Sequence, residues 1–428
     1  MAFGKKKVKA DLVAARPIEL VTNIHDNIMT IISYSGGIMK VTFKFALLAL
    51  LTLALVLPVF AGGRSQASSD VVRIGVFEPQ SGDNGAGGKQ EILGMQYANY
   101  LTPNVDIGGK TYKVELVYAD NQSANDKAPS AAQTLVSAGC SVVLGSYGSG
   151  VSIAASSVFG DAGVPAIGVT CTNPAVTLGN SHYFRICFLD PFQGTVLANF
   201  AKDRFKATKA YCLAKLGDDY SVGLVNYFME AFGRENCIFD TFPEGTSDYS
   251  TYVANAKTQG VGVFFSPVST EAAALIIDQA ATQSLNIPIL AGDTWDSNVI
   301  LNAARGKNVE IFVTTFYQEG GSPEFDNGIK RWINSNSTAK ANNGGDDTIA
   351  AVSTMGYDAY YVALEALKRA GSTRPGDVLR VLPSLTYTGV TGAIAFDRNG
   401  DAIRDTAYVK RSNPTTGQWE FIAQQGVK

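Results

Sequence analysis

From residue 71 onward the chain alternates short apolar runs with amphipathic stretches, and it does so in two successive blocks. In the first block Val71–Phe77, Lys113–Asp120, Cys140–Leu144 and Pro165–Val169 read as strands. Between them Lys89–Leu101, a stretch carrying Ala128, Ala132, Leu135 and Val136, and a short run ending near Phe159 read as helices. His182–Asp190 predicts a strand leading out of this block. The pattern then restarts. Lys209–Lys215, Cys237–Pro243, Val261–Pro267, Ile287–Gly292 and Glu310–Phe316 are strands, separated by helices at Ser221–Phe232, Tyr249–Gly260 and Thr270–Ser284. Strict strand–helix alternation implies parallel strands joined by right-handed crossovers, with helices on both faces of each sheet. At 428 residues the chain exceeds one compact core, so the two blocks predict two doubly wound α/β lobes.

The remainder is less regular. Pro323–Ser335 and Asp347–Ala370 predict two helices around a polar loop, and Asp377–Leu382 a short one. Thr391–Asp397 and Ile403–Arg411 alternate with a period of two around Asn399-Gly400, which predicts a hairpin. Asp397, Asn399 and Asp401 lack the spacing and the closing Glu of a calcium loop, so a turn is the reading there.

The stretch Cys140–Pro174 (CSVVLGSYGSGVSIAASSVFGDAGVPAIGVTCTNP) concentrates the chemistry. Gly145, Gly148 and Gly150 allow a tight turn after a buried strand. Ser149 stands where that turn feeds a helix, an N-cap position, and Thr170–Thr172 lie just past the next strand. Hydroxyls at strand ends usually do no more than cap helices. Here two of them fall at the carboxyl ends of neighbouring parallel strands, the edge where open α/β sheets bind ligands. A helix amino terminus at the same place favours a carboxylate.

The amino-terminal 61 residues are set apart from the fold. Lys40 and Lys44 precede an apolar run, Phe45–Phe60, followed by small-residue cleavage sites at Val59-Phe60-Ala61 and Ser65-Gln66-Ala67. The run contains Pro58 and is short for a spanning helix, so residues 39–61 read as a cleaved signal peptide rather than a retained anchor. Met39-Lys40 reads as the true start, with 1–38 a misassigned extension. Without residues 1–61 the chain has 28 Lys/Arg against 35 Asp/Glu, a net charge of −7, and no basic run, which argues against nucleic-acid binding. The five cysteines, Cys140, Cys171, Cys187, Cys212 and Cys237, are odd in number and include no C-x-x-C, so no zinc site is expected. The odd number leaves at least one cysteine unpaired or paired between chains; an exported protein could pair Cys212 with Cys237 if their strands are neighbours, but free cysteines buried in strands are the main reading.

The loop Glu78–Gly88 (EPQSGDNGAGG) invites phosphate readings that fail. Asp83 stands where a P-loop needs its first Gly, and Gln90 where it needs Ser or Thr. No cofactor or metal is therefore expected.

Taken together, IGVFEPQSG, VVLGSYGSG, VPAIGVTCTNPAVT, FRICFLDPFQG, GDDYSVG, ILAGDTWDS, GYDAYYVALEALKRAG and GVTGAIAFDRNGD resemble, in order and spacing, the type I periplasmic solute-binding proteins of the branched-chain amino-acid (leucine/isoleucine/valine) group. The resemblance covers residues 71–428. It implies two Rossmann-like lobes joined by three crossovers, with the ligand in the cleft. Lobe 1 would comprise 71–189 and 316–396, and lobe 2 190–315 and 397–428. It also implies a periplasmic monomer that hands its ligand to an ABC permease in the cytoplasmic membrane, or a sensor of the same fold. Carried over by position, Ser149 and Thr172, with Thr170 beside them, would hold the ligand's α-carboxylate, Asp293 its ammonium, and Tyr220 would cover its side chain. The sequence departs from leucine binders at Asp293, where they use Glu, at Val268, where they place Tyr, and at Gly85-Ala86-Gly87, where they carry an aromatic. Trp295 is a candidate replacement wall. These departures leave open a branched-chain amino acid, a related amino acid, or an amide, urea or aromatic acid.

An enzyme is the competing class. After export only His182 remains, near the lobe exit and not at a strand end, so no Ser–His–Asp relay is expected. Asp218 and Asp219 read as solvated neighbours rather than a hydrolytic pair.

Overall fold

The computed structural model describes residues 70–426. The leader expected from the sequence, residues 1–61 with the start read at Met39, lies outside the described residues. The first sheet is built from β1 (Val71–Glu78), then helix α1 (Gly85–Leu101), β2 (Asn104–Ile107) and β3 (Lys110–Asp120). Helix α2 (Ala128–Ser137), β4 (Val142–Leu144), α3 (Ser149–Ala162), β5 (Ala166–Gly168) and β6 (Tyr183–Arg185) complete it. The strand order is β2-β3-β1-β4-β5-β6, parallel except for the β2 edge.

After α4 (Asp190–Phe205) the pattern repeats through β7 (Ala210–Lys215), α5 (Asp219–Phe232), β8 (Cys237–Phe242), α6 (Ser250–Thr258), β9 (Val263–Phe265), α7 (Thr270–Thr282), β10 (Ile289–Ala291), α8 (Asn298–Ala304) and β11 (Ile311–Thr315). The chain then lays down α9 (Pro323–Ser335), α10 (Ser337–Asn342), α11 (Ala351–Ala370) and α12 (Pro375–Val381). A two-stranded ribbon, β12 (Thr386–Gly389) and β13 (Gly392–Ala395), follows. Finally β14 (Ala407–Asn413) and β15 (Gln418–Gln425) join the second sheet antiparallel, giving β15-β14-β11-β10-β9-β7-β8.

Each sheet is covered on both faces, which explains strands that are apolar throughout. The first sheet buries Val72, Ile74 and Val76 beneath α1 and α11, and Phe77, Val143 and Ala166 beneath α2 and α3. The second buries Leu213, Phe264 and Ile289 on one face, and Cys212, Phe265 and Phe312 with α4 and α5 on the other. Helices α1 and α11 cross at glycines. A Cβ on Gly94 would sit 1.8 Å from the Ser353 carbonyl oxygen, and one on Gly356 2.1 Å from that of Glu91.

Several expectations from the sequence are corrected. The segment His182–Asp190 is a strand only at Tyr183–Arg185. Asp190 opens a 16-residue helix with Pro191 in its first turn, a favoured place for proline. Helix α1 begins at Gly85, not Lys89, and part of the polar loop before α11 is helix α10. The hairpin at Asn399-Gly400 does not form as such. The turn exists, with Asp397 and Asp401 closing it, but only Phe396 and Ala402 pair across it. Gly392–Ala395 pairs backward with Thr386–Gly389, and Ala407–Asn413 is captured by β11 and β15. All five cysteines are free thiols. Cys212 and Cys237 lie on paired strands, out of register by two residues.

Candidate functional site

The carboxyl ends of the parallel strands of both sheets converge on one region. Glu78 ends β1, and Ser149 begins α3 after β4. Thr170–Thr172 follow β5, Asp218–Tyr220 follow β7, and Asp293–Trp295 form a single 3-10 turn after β10. A cavity of about 50 Å³ lies between them, lined by Tyr147, Ser149, Asp218, Tyr220 and Thr294, with Lys215 and Asp83 at its edge. A larger hollow of about 450 Å³, lined by Leu285, Asn308 and Pro414, opens at the opposite edge, where β10 and β11 begin, and holds none of the buried carboxyls.

The two sides are latched together over this cavity. Tyr147 donates to the Thr294 carbonyl oxygen at 3.1 Å. Gln90 on α1 donates to Asn298 on α8 at 2.9 Å and accepts from the Ser297 hydroxyl at 2.8 Å. Lys215 meets Asp83 at 2.7 Å, and Asn173 donates to the Asp219 carbonyl oxygen at 2.7 Å.

Ser149 is not an N-cap. Gly148, in extended conformation, occupies that position, and no side chain caps α3. The Ser149 hydroxyl instead accepts from the Asn173 amide at 3.2 Å, tying the start of α3 to the turn that carries Thr172. The first-turn amides of α3 are thereby left for another acceptor. Arg185 fixes the same turn, donating to the carbonyl oxygens of Cys171 and Asn173 at 2.8 and 2.5 Å. Thr170 donates to Glu91 Oε2 at 2.5 Å, and the buried Thr172 hydroxyl lies against the Asp190 carboxyl.

On the other side, Asp293 is 1% exposed. Its Oδ1 accepts from Gln193 at 3.0 Å and from the Tyr220 hydroxyl at 3.1 Å. Burial pushes its carboxyl up to about 6 against those two donors. Tyr220 presses on Gly292, where a Cβ would meet its hydroxyl at 2.3 Å, so glycine is what lets the ring reach Asp293. Asp218 caps α5 by accepting from the Ser221 amide at 2.8 Å.

Trp295 is not at the cavity. Its ring is buried in the second lobe's core and its Nε1 donates to the Val268 carbonyl oxygen at 3.0 Å. The structure thus brings Ser149, Thr170, Thr172, Tyr220 and Asp293 to one place and leaves Trp295 as support behind the Asp293 turn.

Sequence reasoning missed an inner ring of groups: Glu78, Glu91, Tyr147, Asp190 and Gln193. Burial raises Glu91 to about 7 and Asp190 to about 8; it raises Glu78 well above the carboxylate range, with the neighbouring Glu91 adding to the effect. Glu78 carried a readable signal, a carboxylate closing an otherwise apolar strand. Asp190 was hidden by reading its segment as extended, and Gln193 lies in the following stretch, to which no element was assigned from the sequence.

His182 is remote from this chemistry, its Nε2 at 2.9 Å from the Ser156 carbonyl oxygen on α3.

Comparison with known proteins agrees with this architecture. The sequence pattern of the periplasmic binding protein family matches residues 71–417. A Leu/Ile/Val-binding protein homolog 2 of Brucella abortus is 30% identical over 79% of the chain and 89% of its own length. A Leu/Ile/Val-binding protein homolog 1 of Brucella suis is 28% identical over 86% of the chain and 96% of its own. Among solved structures, a leucine-binding protein from Thermotoga maritima superposes with a TM-score of 0.71 at 29% identity, covering 83% of this chain and 99% of that one.

Proposed function

The chain belongs to the periplasmic binding protein family, and on that premise we propose that it is the extracytoplasmic solute-binding component of an ABC importer, holding an amino acid between two lobes and delivering it to a membrane permease. Lobe 1 is 71–189 with 316–396, and lobe 2 is 190–315 with 397–428. The working form is a periplasmic monomer released by cleavage of the signal peptide.

One observation carries this reading. The first-turn amides of α3, which no side chain caps, and Asp293, a buried carboxyl held by Gln193 and Tyr220 rather than by a cation, belong to the same convergence of strand ends. A zwitterion satisfies both ends at once. The α-carboxylate goes to Ser149, Thr172 and the α3 amides, and the ammonium goes to Asp293, with Tyr220 as the wall beside it. Because the two ends of the ligand are held by different lobes, only the closed arrangement makes all contacts, and binding therefore drives closure. The reading requires no chemical step. His182 and the capping Asp218 are engaged structurally, and the hydroxyls of Thr170 and Tyr220 serve to hold the Glu91 and Asp293 carboxyls.

The test is a thermal-shift screen against the twenty amino acids, urea, short amides and aromatic acids. A ligand at a hundred times its dissociation constant stabilises the fold by about 2.7 kcal/mol, a shift of several degrees. The expected result is a shift with an amino acid that Asp293→Asn abolishes. If only ligands without an ammonium shift the melt, the amide or aromatic-acid reading replaces this one.

A further inference from the structure

The space enclosed between the strand ends is small, and one side chain makes it so. The cavity there measures about 50 Å³. A single liquid water takes about 30 Å³, so the carboxylate, α-carbon and ammonium common to all α-amino acids already fill it. A branched side chain has to displace a wall.

The wall next to Ser149 is Tyr147, a buried residue in the turn between β4 and α3. It is fixed at three points. Its amide donates to Glu78 Oε2 at 2.6 Å. Its ring packs against Gly87 on α1, where a Cβ would meet Cε2 and Cζ at 2.6 Å. Its hydroxyl donates to the Thr294 carbonyl oxygen, on the turn after β10, at 3.1 Å.

Thr294 is held as firmly. Its hydroxyl stands 3.3 Å from both the Tyr220 hydroxyl and the Val268 carbonyl oxygen, and Tyr220 donates to Asp293 at 3.1 Å. Tyr147 therefore spans the cleft from α1 to the second sheet. A ligand side chain longer than a methyl or hydroxymethyl group has two ways in. It can push the ring into the close-packed contact at Gly87, or it can break the bond to Thr294 and with it the closed arrangement.

We propose that Tyr147 sets the size limit of the site and that the ligand is a small α-amino acid: glycine, alanine or serine. The proposal rests on the reading of the cleft as an amino-acid site. Ser149, Asp218 and Thr294 share the cavity with Pro79 and Val151, so a methyl and a hydroxymethyl group both have matching neighbours.

The experiment is calorimetric titration of the purified protein with glycine, alanine, serine, valine, leucine and isoleucine. The expected result is that at least one of the first three binds at least about tenfold tighter than each branched-chain ligand, the low end of what one methylene is worth in a fitted pocket. Tyr147→Ala, which removes the ring, narrows or reverses that ratio. Tyr147→Phe keeps the ring and loses only the hydroxyl, so it weakens all six ligands alike and leaves the ratio unchanged. A residue that merely supports the fold moves neither ratio. Tyr147→Leu serves if the alanine variant fails to fold by circular dichroism. Branched-chain ligands that bind the unaltered protein as tightly as the small ones, or a ratio that persists once the ring is gone, overturn the proposal and leave the amino-acid site standing. If none of the six binds at millimolar concentration the proposal falls, and the reading of the cleft falls with it when none of the twenty amino acids shifts the melt.

Discussion

Arg185 links the site to the rest of the fold, and its removal has a calculable cost. The side chain is fully buried on β6. Its Nε and Nη2 meet Asp401 Oδ1 at 2.7 and 2.6 Å, Nη2 also donates to Thr177 at 2.8 Å, and Nη1 holds the turn that carries Thr172. Arg185→Met keeps much of the apolar stem but leaves Asp401 buried and unpaired. Breaking one partner of a buried pair costs about 3–5 kcal/mol. With an unfolding entropy of roughly 2.1 cal/mol/K per residue over some 360 ordered residues, that is a drop in Tm of about 4–7 °C if the lobes unfold together. Calorimetric melts at neutral pH measure it.

One further outcome distinguishes a stranded charge from lost bulk. Pairing the change with Asp401→Asn destabilises less than Arg185→Met alone, since no carboxylate is then stranded. A Tm shift below about 1 °C, or a double variant as damaged as the sum of its parts, would refute the reasoning.

Other consequences concern the same region. Gly356→Ala drives a methyl into the Glu91 carbonyl oxygen, an overpacking cost of about 1–3 kcal/mol or more, and displaces Glu91; a melt and a ligand titration should both show a loss. Stability of the unliganded protein should fall between about pH 4.5 and 8, since Asp293, Glu91 and Asp190, raised to about 6, 7 and 8, bind more protons folded than unfolded. At about 1.4 kcal/mol per pKa unit, Asp293 alone accounts for roughly 3 kcal/mol, and Asp293→Asn should flatten that part of the profile in denaturant titrations across pH. Tyr147→Phe removes the bond to the Thr294 carbonyl oxygen that latches the closed form, about 0.5–1.5 kcal/mol, and stopped-flow dissociation should show it as a faster off-rate.

The alternation of strands and helices was legible because both faces of each sheet are covered, which writes apolar runs such as VVRIGVF and VGVFFSP into the chain. The strand-end positions of Ser149, Thr172, Tyr220 and Asp293 were legible from the same alternation, and strand ends are where such sheets place their ligands. What failed was decided by distant partners. The Asn399-Gly400 turn is real, but Asp401 is drawn off by Arg185 and β14 by β11, so no local ladder forms. Asp190 reads as the end of an apolar strand until Pro191 is recognised as a helix start. Trp295 looks like a wall by its position after a strand, yet its indole is fastened to the Val268 carbonyl, a contact no local pattern announces. Glu91 lies mid-helix, where a carboxylate is ordinarily solvated; only the glycine crossing of α1 with α11 buries it.

If the protein works as proposed, the two ends of one amino acid are held from opposite lobes. The direct measurement is calorimetric titration with the amino acid that stabilises the protein best, and with its des-amino and decarboxylated analogues. Each analogue should bind at least about tenfold more weakly, as loss of one charged hydrogen bond requires, and the des-amino penalty should disappear in Asp293→Asn. Equal binding of parent and analogues, or a des-amino penalty that persists in Asp293→Asn, would contradict it.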